Sequence, residues 1–171
     1  WFNPTINSYK RINAPVTASG ATWAPNTITY SGNNRTHMIR VPGPGRFELR
    51  LMDGATNPYL LQAGILAAGI DGMEKKRNPG KPINVNMYEE GHKVKGAKKL
   101  PLSLEKALSH LSKSQVMKDA FSKESIESYI KLKNKEIKKY QSSNTKKIGF
   151  KGSKQSAKKN IITQWEKDNT L

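Results

Sequence analysis

The sequence of 171 residues predicts an α+β fold, in which an antiparallel β-sheet is followed by helices. Two observations lead to this prediction. Short runs of β-branched and aromatic residues, separated by Gly, Asn and Pro clusters, occupy residues 1–56 and are typical of strands. From residue 57 onward the apolar residues recur at helical spacing instead. Strands grouped before helices indicate the α+β class.

Three short strands are predicted, at residues 26–31, 37–41 and 46–51. The segment Pro42-Gly43-Pro44-Gly45 between the last two is a strong turn signal, so these two strands are expected to form a hairpin. The single His37 lacks nearby Cys or His partners and is interpreted as a packing residue rather than a metal ligand.

The third strand carries the most informative side chains. Alternate residues of a strand face opposite sides, so Arg46, Glu48 and Arg50 share one face. One interpretation is a solvated face with cross-strand ion pairs. The other is a functional site, because several guanidiniums around one carboxylate suit an anionic substrate beside a divalent metal. The second interpretation needs further arginines to converge there, and the sequence supplies Arg11, Arg35 and Arg40.

The helical part begins at Asn57, a good N-cap, followed by Pro58, which suits the first helical position. The helix predicted over residues 59–76 is apolar nearly all round, which is typical of a buried helix. A connecting loop is expected over 78–101, and helical periodicity returns over 103–111 and 126–140. Helices and connecting loop thus extend over 57–141. Residues 142–160 are interpreted as a flexible Lys-rich insert and 161–171 as a short terminal helix.

The formal net charge of +17 raises the alternative of a basic nucleic-acid-binding module. Six of the thirty basic residues lie in residues 1–70, and the others are almost all Lys, scattered over residues 71–171. Scattered Lys without interleaved aromatic residues is more typical of a solvated surface, so no nucleic-acid partner is expected. No apolar run is long enough to span a bilayer, and the absence of Cys fits a cytoplasmic protein.

Four motifs, in order along residues 7–59, resemble those of the glutamine synthetase family. They are Asn7-Ser8-Tyr9-Lys10-Arg11, then Asn34-Arg35-Thr36 with Arg40-Val41-Pro42, then Arg46-Phe47-Glu48-Leu49-Arg50, and Asn57-Pro58-Tyr59. The resemblance implies the C-terminal part of that family's catalytic domain. It is strongest toward the type III branch that includes γ-glutamylmethylamide synthetases, and beyond about residue 95 it rests on helical character alone.

The resemblance also implies a role for each matching residue. Arg11, Arg35 and Arg50 would bind glutamate, Arg35, Arg40 and Arg46 would bind ATP, and Glu48 would bind Mg²⁺ or Mn²⁺. The implied reaction phosphorylates the γ-carboxylate of L-glutamate with ATP, and ammonia or an amine then displaces the phosphate. The implied enzyme is a homo-oligomer with active sites at subunit interfaces. The resemblance places its remaining metal ligands and nucleotide-base contacts before Trp1, so the chain alone is expected to be inactive. A pseudoenzyme or assembly subunit remains an alternative.

In the resemblance, Trp23 occupies the position of a family glutamate that helps to bind and deprotonate ammonium. We hypothesise that Trp23 forms an aromatic wall that accepts methylamine beside, or instead of, ammonia. The alternative is that Trp23 packs beneath its loop as a hydrophobic mass.

Overall fold

Strands precede most of the helices in the computed structural model, which describes residues 1–12 and 24–147. The predicted α+β class is confirmed. The strands are β1 Tyr30–Ser31, β2 Ile39–Gly43 and β3 Arg46–Leu49. The α-helices are α1 Ser8–Ile12, α2 Pro58–Glu74, α3 Leu104–Lys113, α4 Gln115–Phe121 and α5 Lys123–Lys147, and a 3₁₀ turn lies at Gly91–Lys93.

The sheet has the order β1-β2-β3. β2 and β3 form the predicted antiparallel hairpin, and its end is the pair Gly43 and Arg46. Pro44 and Gly45 make the loop, where Gly45 has a φ of 72° that side chains disfavour. The short β1 pairs with β2 in parallel, which makes the sheet mixed. The hairpin therefore sets which side chains of β2 and β3 stand opposite each other.

Helix α1 lies inside the region expected to hold strands and turns. A reciprocal pair of hydrogen bonds starts it: the Ser8 N–H donates to Thr5 Oγ1 and the Thr5 N–H donates to Ser8 Oγ, both at 3.1 Å. Such reciprocal capping satisfies donors that the first turn leaves without partners. The helix fixes the position of Arg11 one turn further on.

Helix α2 begins as predicted, because the Asn57 side chain accepts hydrogen bonds from the N–H groups of Tyr59 and Leu60. The prediction that this helix is buried is wrong for the described residues. Gly64 is its one buried position, and an added Cβ there would lie 3.3 Å from the Phe2 ring. Burial follows what packs against each face, and the described residues cover one face of α2.

The hydrophobic core lies among α1, α3 and α5. Its buried members are Tyr9, Ile12, Leu104, Leu108, Leu111, Ile126 and Ile137. The helical faces predicted over 103–111 and 126–140 are thus confirmed, while α4 was not predicted. Helix α5 continues to Lys147, six residues into the segment interpreted as a flexible insert. The rest of that segment, and the predicted helix over 161–171, lie outside the described residues.

Among the described helices, none combines the length and apolar character needed to cross a bilayer.

Truncating Ile126 tests this core, because Ile126 is 1% exposed whereas Leu132 of the same helix is 61% exposed. We expect Ile126→Ala to lower the free energy of unfolding by about 2–5 kcal/mol, through lost burial and the cavity left behind. Leu132→Ala is the matched control and should change it by less than about 0.5 kcal/mol. Urea unfolding of both variants measures the difference, and equal losses would contradict the described packing.

Candidate active site

Three of the predicted site residues meet on one face of the hairpin. Arg40 of β2 stands directly opposite Glu48 of β3. Arg40 Nη1 donates to Glu48 Oε2 at 2.6 Å, and Arg50 Nε donates to Glu48 Oε1 at 3.0 Å. Each carboxylate oxygen therefore faces a guanidinium. Alternation along the third strand predicted that Glu48 and Arg50 share a face, while Arg40 comes from β2.

These contacts control the protonation of Glu48. The hydrogen bond from Arg40 is the largest influence and lowers the pKa of Glu48, while burial acts in the opposite direction and the Arg50 hydrogen bond lowers the pKa further. Both guanidiniums favour the charged form of the carboxyl. Glu48 is therefore a carboxylate at neutral pH, available as an oxygen ligand.

Arg40 has a second anchor that the sequence analysis missed. Asn33 Oδ1 accepts a hydrogen bond of 2.9 Å from Arg40 Nε and a further bond from Nη2 of the same guanidinium. A planar guanidinium held at two edges has its direction set by the protein. The Asn33-Asn34 dipeptide just before Arg35 was a possible signal, because Asn side chains often bond the turns in which they lie.

Arg11 is placed beside the same strand end. Its Nη2 atom donates to the backbone carbonyls of Leu51 at 2.8 Å and Met52 at 3.0 Å, the two residues after Arg50. Burial raises the pKa of the Tyr88 phenol, and the positive charges of Arg50 and Arg11 oppose that rise. The two guanidiniums thus act on a common region around Tyr88.

Two donors in this region carry no hydrogen bond. Arg11 Nε and Arg50 Nη1 are buried and have no partner among the described residues. A buried donor without a partner is costly and calls for an explanation. Together with the surplus of positive charge over the single carboxylate of Glu48, these donors fit an anionic ligand.

A network of hydrogen bonds fixes the turn that carries Arg35. Asn34 Oδ1 accepts from the Thr36 N–H at 3.0 Å and from the Thr36 hydroxyl at 2.7 Å, and Asn34 Nδ2 donates to the Val85 carbonyl at 2.9 Å. The Met87 N–H in turn donates to Thr36 Oγ1 at 3.0 Å. We call this network, Asn34 and Thr36 with Val85 and Met87, the turn clamp.

His37 supports the turn clamp from inside the fold, where its side chain is fully buried. Its Nε2 lies 3.0 Å from the Val85 carbonyl and its Nδ1 lies 3.0 Å from the Thr29 hydroxyl. Burial lowers the pKa of His37 and the bond to Val85 opposes this effect. Because a carbonyl only accepts, the neutral ring donates from Nε2 and accepts from Thr29. The interpretation of His37 as a packing residue fits this position.

Arg35 and Arg46 are exposed, and the side chain of neither makes a hydrogen bond or ion pair within the described part of the chain. The structure therefore brings Arg11, Arg40, Glu48 and Arg50 to one region. Arg35 lies apart from them in its turn, and Arg46 lies at the end of the hairpin. Trp23, the predicted amine-site residue, lies outside the described residues.

The described residues alone do not complete a metal site. They contain no cluster of three or more His, Cys, Asp or Glu side chains able to hold an ion. Glu48 can supply one oxygen ligand, whereas Mg²⁺ takes six oxygen ligands, some of them water. Any metal at Glu48 needs ligands from other residues as well.

The sequence of the chain matches a family described as glutamine synthetase, catalytic domain, over residues 1–149. The chain belongs to this glutamine synthetase family. It is 53% identical over 169 residues to a glutamine synthetase of Rhizobium leguminosarum bv. phaseoli, which covers 99% of the chain and 35% of the relative. It is 45% identical over 136 residues to a glutamate–methylamine ligase of Methyloversatilis universalis, which covers 78% of the chain and 30% of the relative.

The fold has a similar counterpart among solved structures. A GmaS/ADP complex superposes with a TM-score of 0.76 at 47% identity, covering 99% of this chain and 35% of that one. The chain thus spans about a third of the length of the proteins it matches. Glutamine synthetases and a GmaS structure are thus both similar to this chain, and the Rhizobium leguminosarum glutamine synthetase has the higher sequence identity of the two.

Replacing Thr36 by Val tests the turn clamp, because Val keeps the shape and removes the hydroxyl. The buried Met87 N–H then loses its acceptor, and we expect the free energy of unfolding to fall by about 1–3 kcal/mol. Ser112→Ala is the control: its exposed hydroxyl bonds only its own helix, so its effect should stay within about 0.5 kcal/mol. Thermal or urea unfolding that shows no difference between the two variants would contradict the clamp.

Removing one guanidinium tests the electrostatics of Glu48. The pKa of Glu48 lies below its ordinary value of 4.5, and Arg40→Gln should raise it because the strongest stabilising hydrogen bond disappears. The contribution of the ionised Glu48 carboxylate to the free energy of unfolding is complete above the ordinary pKa. It is lost as the pH falls through the lowered pKa of the folded state. The matched control is Arg46→Gln, since the Arg46 side chain is exposed and makes no described hydrogen bond or ion pair. NMR titration of the Glu48 carboxyl carbon measures the midpoint, and the same midpoint in both variants would overturn this assignment.

Proposed function

We propose that the chain forms part of the active site of an ATP-dependent, ADP-forming ligase that joins ammonia or an amine to the γ-carboxylate of L-glutamate. The observation that carries the proposal is the cluster of Arg11, Arg40, Glu48 and Arg50 in a chain of the glutamine synthetase family. Ligation of this kind needs a carboxylate substrate and a nucleotide phosphate in one place. Both are anions, and arginine is the side chain best suited to bind carboxylate and phosphate groups.

The roles divide between the two ends of the cluster. Arg11 and Arg50, whose buried nitrogens lack partners, are proposed to bind glutamate together with Arg35. Arg40 and the exposed Arg35 and Arg46 are proposed to bind the phosphates of ATP. Guanidiniums aimed at the phosphates neutralise the charge that develops as the phosphoryl group moves to the γ-carboxylate, and the resulting γ-glutamyl phosphate is then open to attack by the amine.

Glu48 is proposed as one ligand of a divalent cation, Mg²⁺ or Mn²⁺. Such a cation, when bound, neutralises phosphate charge and orients the transferring group. Ion pairing keeps Glu48 ionised, which is the form a hard cation requires. The other ligands would come from the part of the family fold that the chain does not span. We expect the whole enzyme to form homo-oligomers whose active sites are shared between subunits.

Methylamine is a second candidate for the amine substrate. It is favoured by the 45% identity to a glutamate–methylamine ligase, while the 53% identity to a glutamine synthetase favours ammonia. Trp23 is the residue that we propose to decide between them, because an aromatic wall provides apolar contact for a methyl group that ammonia lacks. Turnover by the assembled enzyme with each amine settles the choice, and strict rejection of methylamine would exclude it.

The test of the ligase itself is phosphate release that requires both glutamate and an amine. We expect none from the chain alone, and turnover when it is supplied with the remainder of the family fold from the Rhizobium leguminosarum relative. In that assembly Glu48→Gln should lower kcat by about 100- to 1,000-fold, the scale of losing one preorganised charge contact. Lys138→Gln, on the exposed face of α5, is the control and should keep full activity.

Phosphate release that is independent of glutamate would contradict the ligase proposal. Full activity of Glu48→Gln would contradict the role of this carboxylate.

A further inference from the structure

Asn33 lies in the connection between β1 and β2 and is exposed. Its Oδ1 atom accepts two hydrogen bonds from the guanidinium of Arg40, one from Nε at 2.9 Å and the other from Nη2. Both donors lie on the same edge of the planar guanidinium. The amide of Asn33 therefore holds that edge without bringing a charge to the site.

The backbone beside Asn33 is fixed by bonds that do not involve its side chain. The Gly32 carbonyl accepts from the N–H of Asn34 at 2.7 Å and from the N–H of Val41 at 3.1 Å. The Asn34 side chain belongs to the turn clamp. The turn thus keeps its bonds on both sides of Asn33 when the Asn33 side chain is removed. That side chain acts on Arg40 rather than on the turn.

Arg40 has two anchors that differ in charge. Glu48 Oε2 accepts from Nη1 at 2.6 Å, while the neutral Asn33 accepts from Nε and Nη2. A guanidinium has five N–H donors, so two remain, one on each terminal nitrogen. Phosphate oxygens accept hydrogen bonds from such paired donors. The two anchors together set the direction in which the remaining donors point.

A cation at Glu48 would affect the two anchors differently. It would draw on the carboxylate oxygens that attract Arg40, and its positive charge would repel the guanidinium. The amide of Asn33 has no net charge, so its bonds to Arg40 do not depend on the partners of Glu48. An arginine held by Glu48 alone would lose its direction when the carboxylate changes partner.

We propose that Asn33 is a positioning residue that keeps the Arg40 guanidinium directed at the nucleotide phosphates, whether or not Glu48 is paired with it. The proposal rests on the proposed function, in which Arg40 binds the phosphates of ATP and Glu48 binds a divalent cation. That Asn33, more than Glu48, orients Arg40 is a property of this chain alone and is tested without any reaction.

The exchange of the Arg40 Nε–H with water, measured by NMR, tests the orientation in the chain itself. Asn33→Ala removes the acceptor of this bond, so we expect exchange to become at least about tenfold faster. Asn33→Asp keeps an oxygen in the same place and should restore slow exchange, and Glu48→Ala should leave it slow. Asn134→Ala, at an exposed position of α5, is the matched control. Circular dichroism checks that each variant is folded.

Two results of this measurement would overturn the proposal. The first is the same exchange rate in Asn33→Ala as in the unsubstituted chain. The second is fast exchange in Glu48→Ala, which would identify Glu48 as the residue that orients Arg40.

Steady-state kinetics gives a second test, in the chain assembled with the remainder of the fold from the Rhizobium leguminosarum relative. Asn33→Ala should raise KM for ATP by about 10- to 100-fold, the scale of removing a residue that orients a binding group. KM for glutamate should stay within about twofold, as it should for both substrates in Asn134→Ala. An unchanged KM for ATP, or an equal rise for both substrates, would contradict the directed role of Arg40.

The two tests separate this proposal from the proposed function. An unsubstituted assembly without glutamate-dependent turnover would contradict the proposed function, and with it the phosphate role of Arg40. The exchange rates would still decide which residue orients the guanidinium.

Discussion

The carboxylate of Glu48, held between Arg40 and Arg50, is the interaction on which the site depends. It joins β2 to β3 across the hairpin and aligns both guanidiniums on one face. It also keeps a carboxylate ionised next to a surplus of positive charge. A solvated strand face would show the same two ion pairs. The buried nitrogens of Arg11 and Arg50 that have no partner among the described residues favour a bound anion.

The turn clamp fixes the turn that carries Arg35. Val85 accepts hydrogen bonds from both Asn34 and His37, and Thr36 connects to Met87. These contacts fasten a turn to a loop about fifty residues later in the chain. The exposed Arg35 then projects from a rigid base.

Local chemistry made much of the fold predictable from the sequence. The Pro-Gly turn identified the hairpin, Asn57 identified the start of α2, and alternation placed Glu48 and Arg50 on one face. The sequence motifs identified the family, which the match over residues 1–149 confirms. Each of these features depends on residues only a few positions apart.

Features that depend on distant residues could not be predicted in this way. The turn clamp arises from side chains whose partners lie about fifty residues away, where no periodicity reveals them. The start of α1 was missed although its reciprocal bonds join residues only three positions apart. The exposure of α2 has the same origin as the turn clamp, because burial depends on what lies against each face of the helix. The sequence therefore predicted the family better than it predicted which surfaces of this chain are buried.

The most direct test of the account is the distance from the Glu48 carboxylate to the metal in a structure of the assembled enzyme with Mg²⁺, glutamate and an ATP analogue. The account predicts a Glu48 oxygen about 2.1 Å from the ion, with Arg40 turned toward phosphate and Arg50 toward glutamate. A Glu48 still paired with both arginines, with the metal and both substrates bound elsewhere, would contradict it.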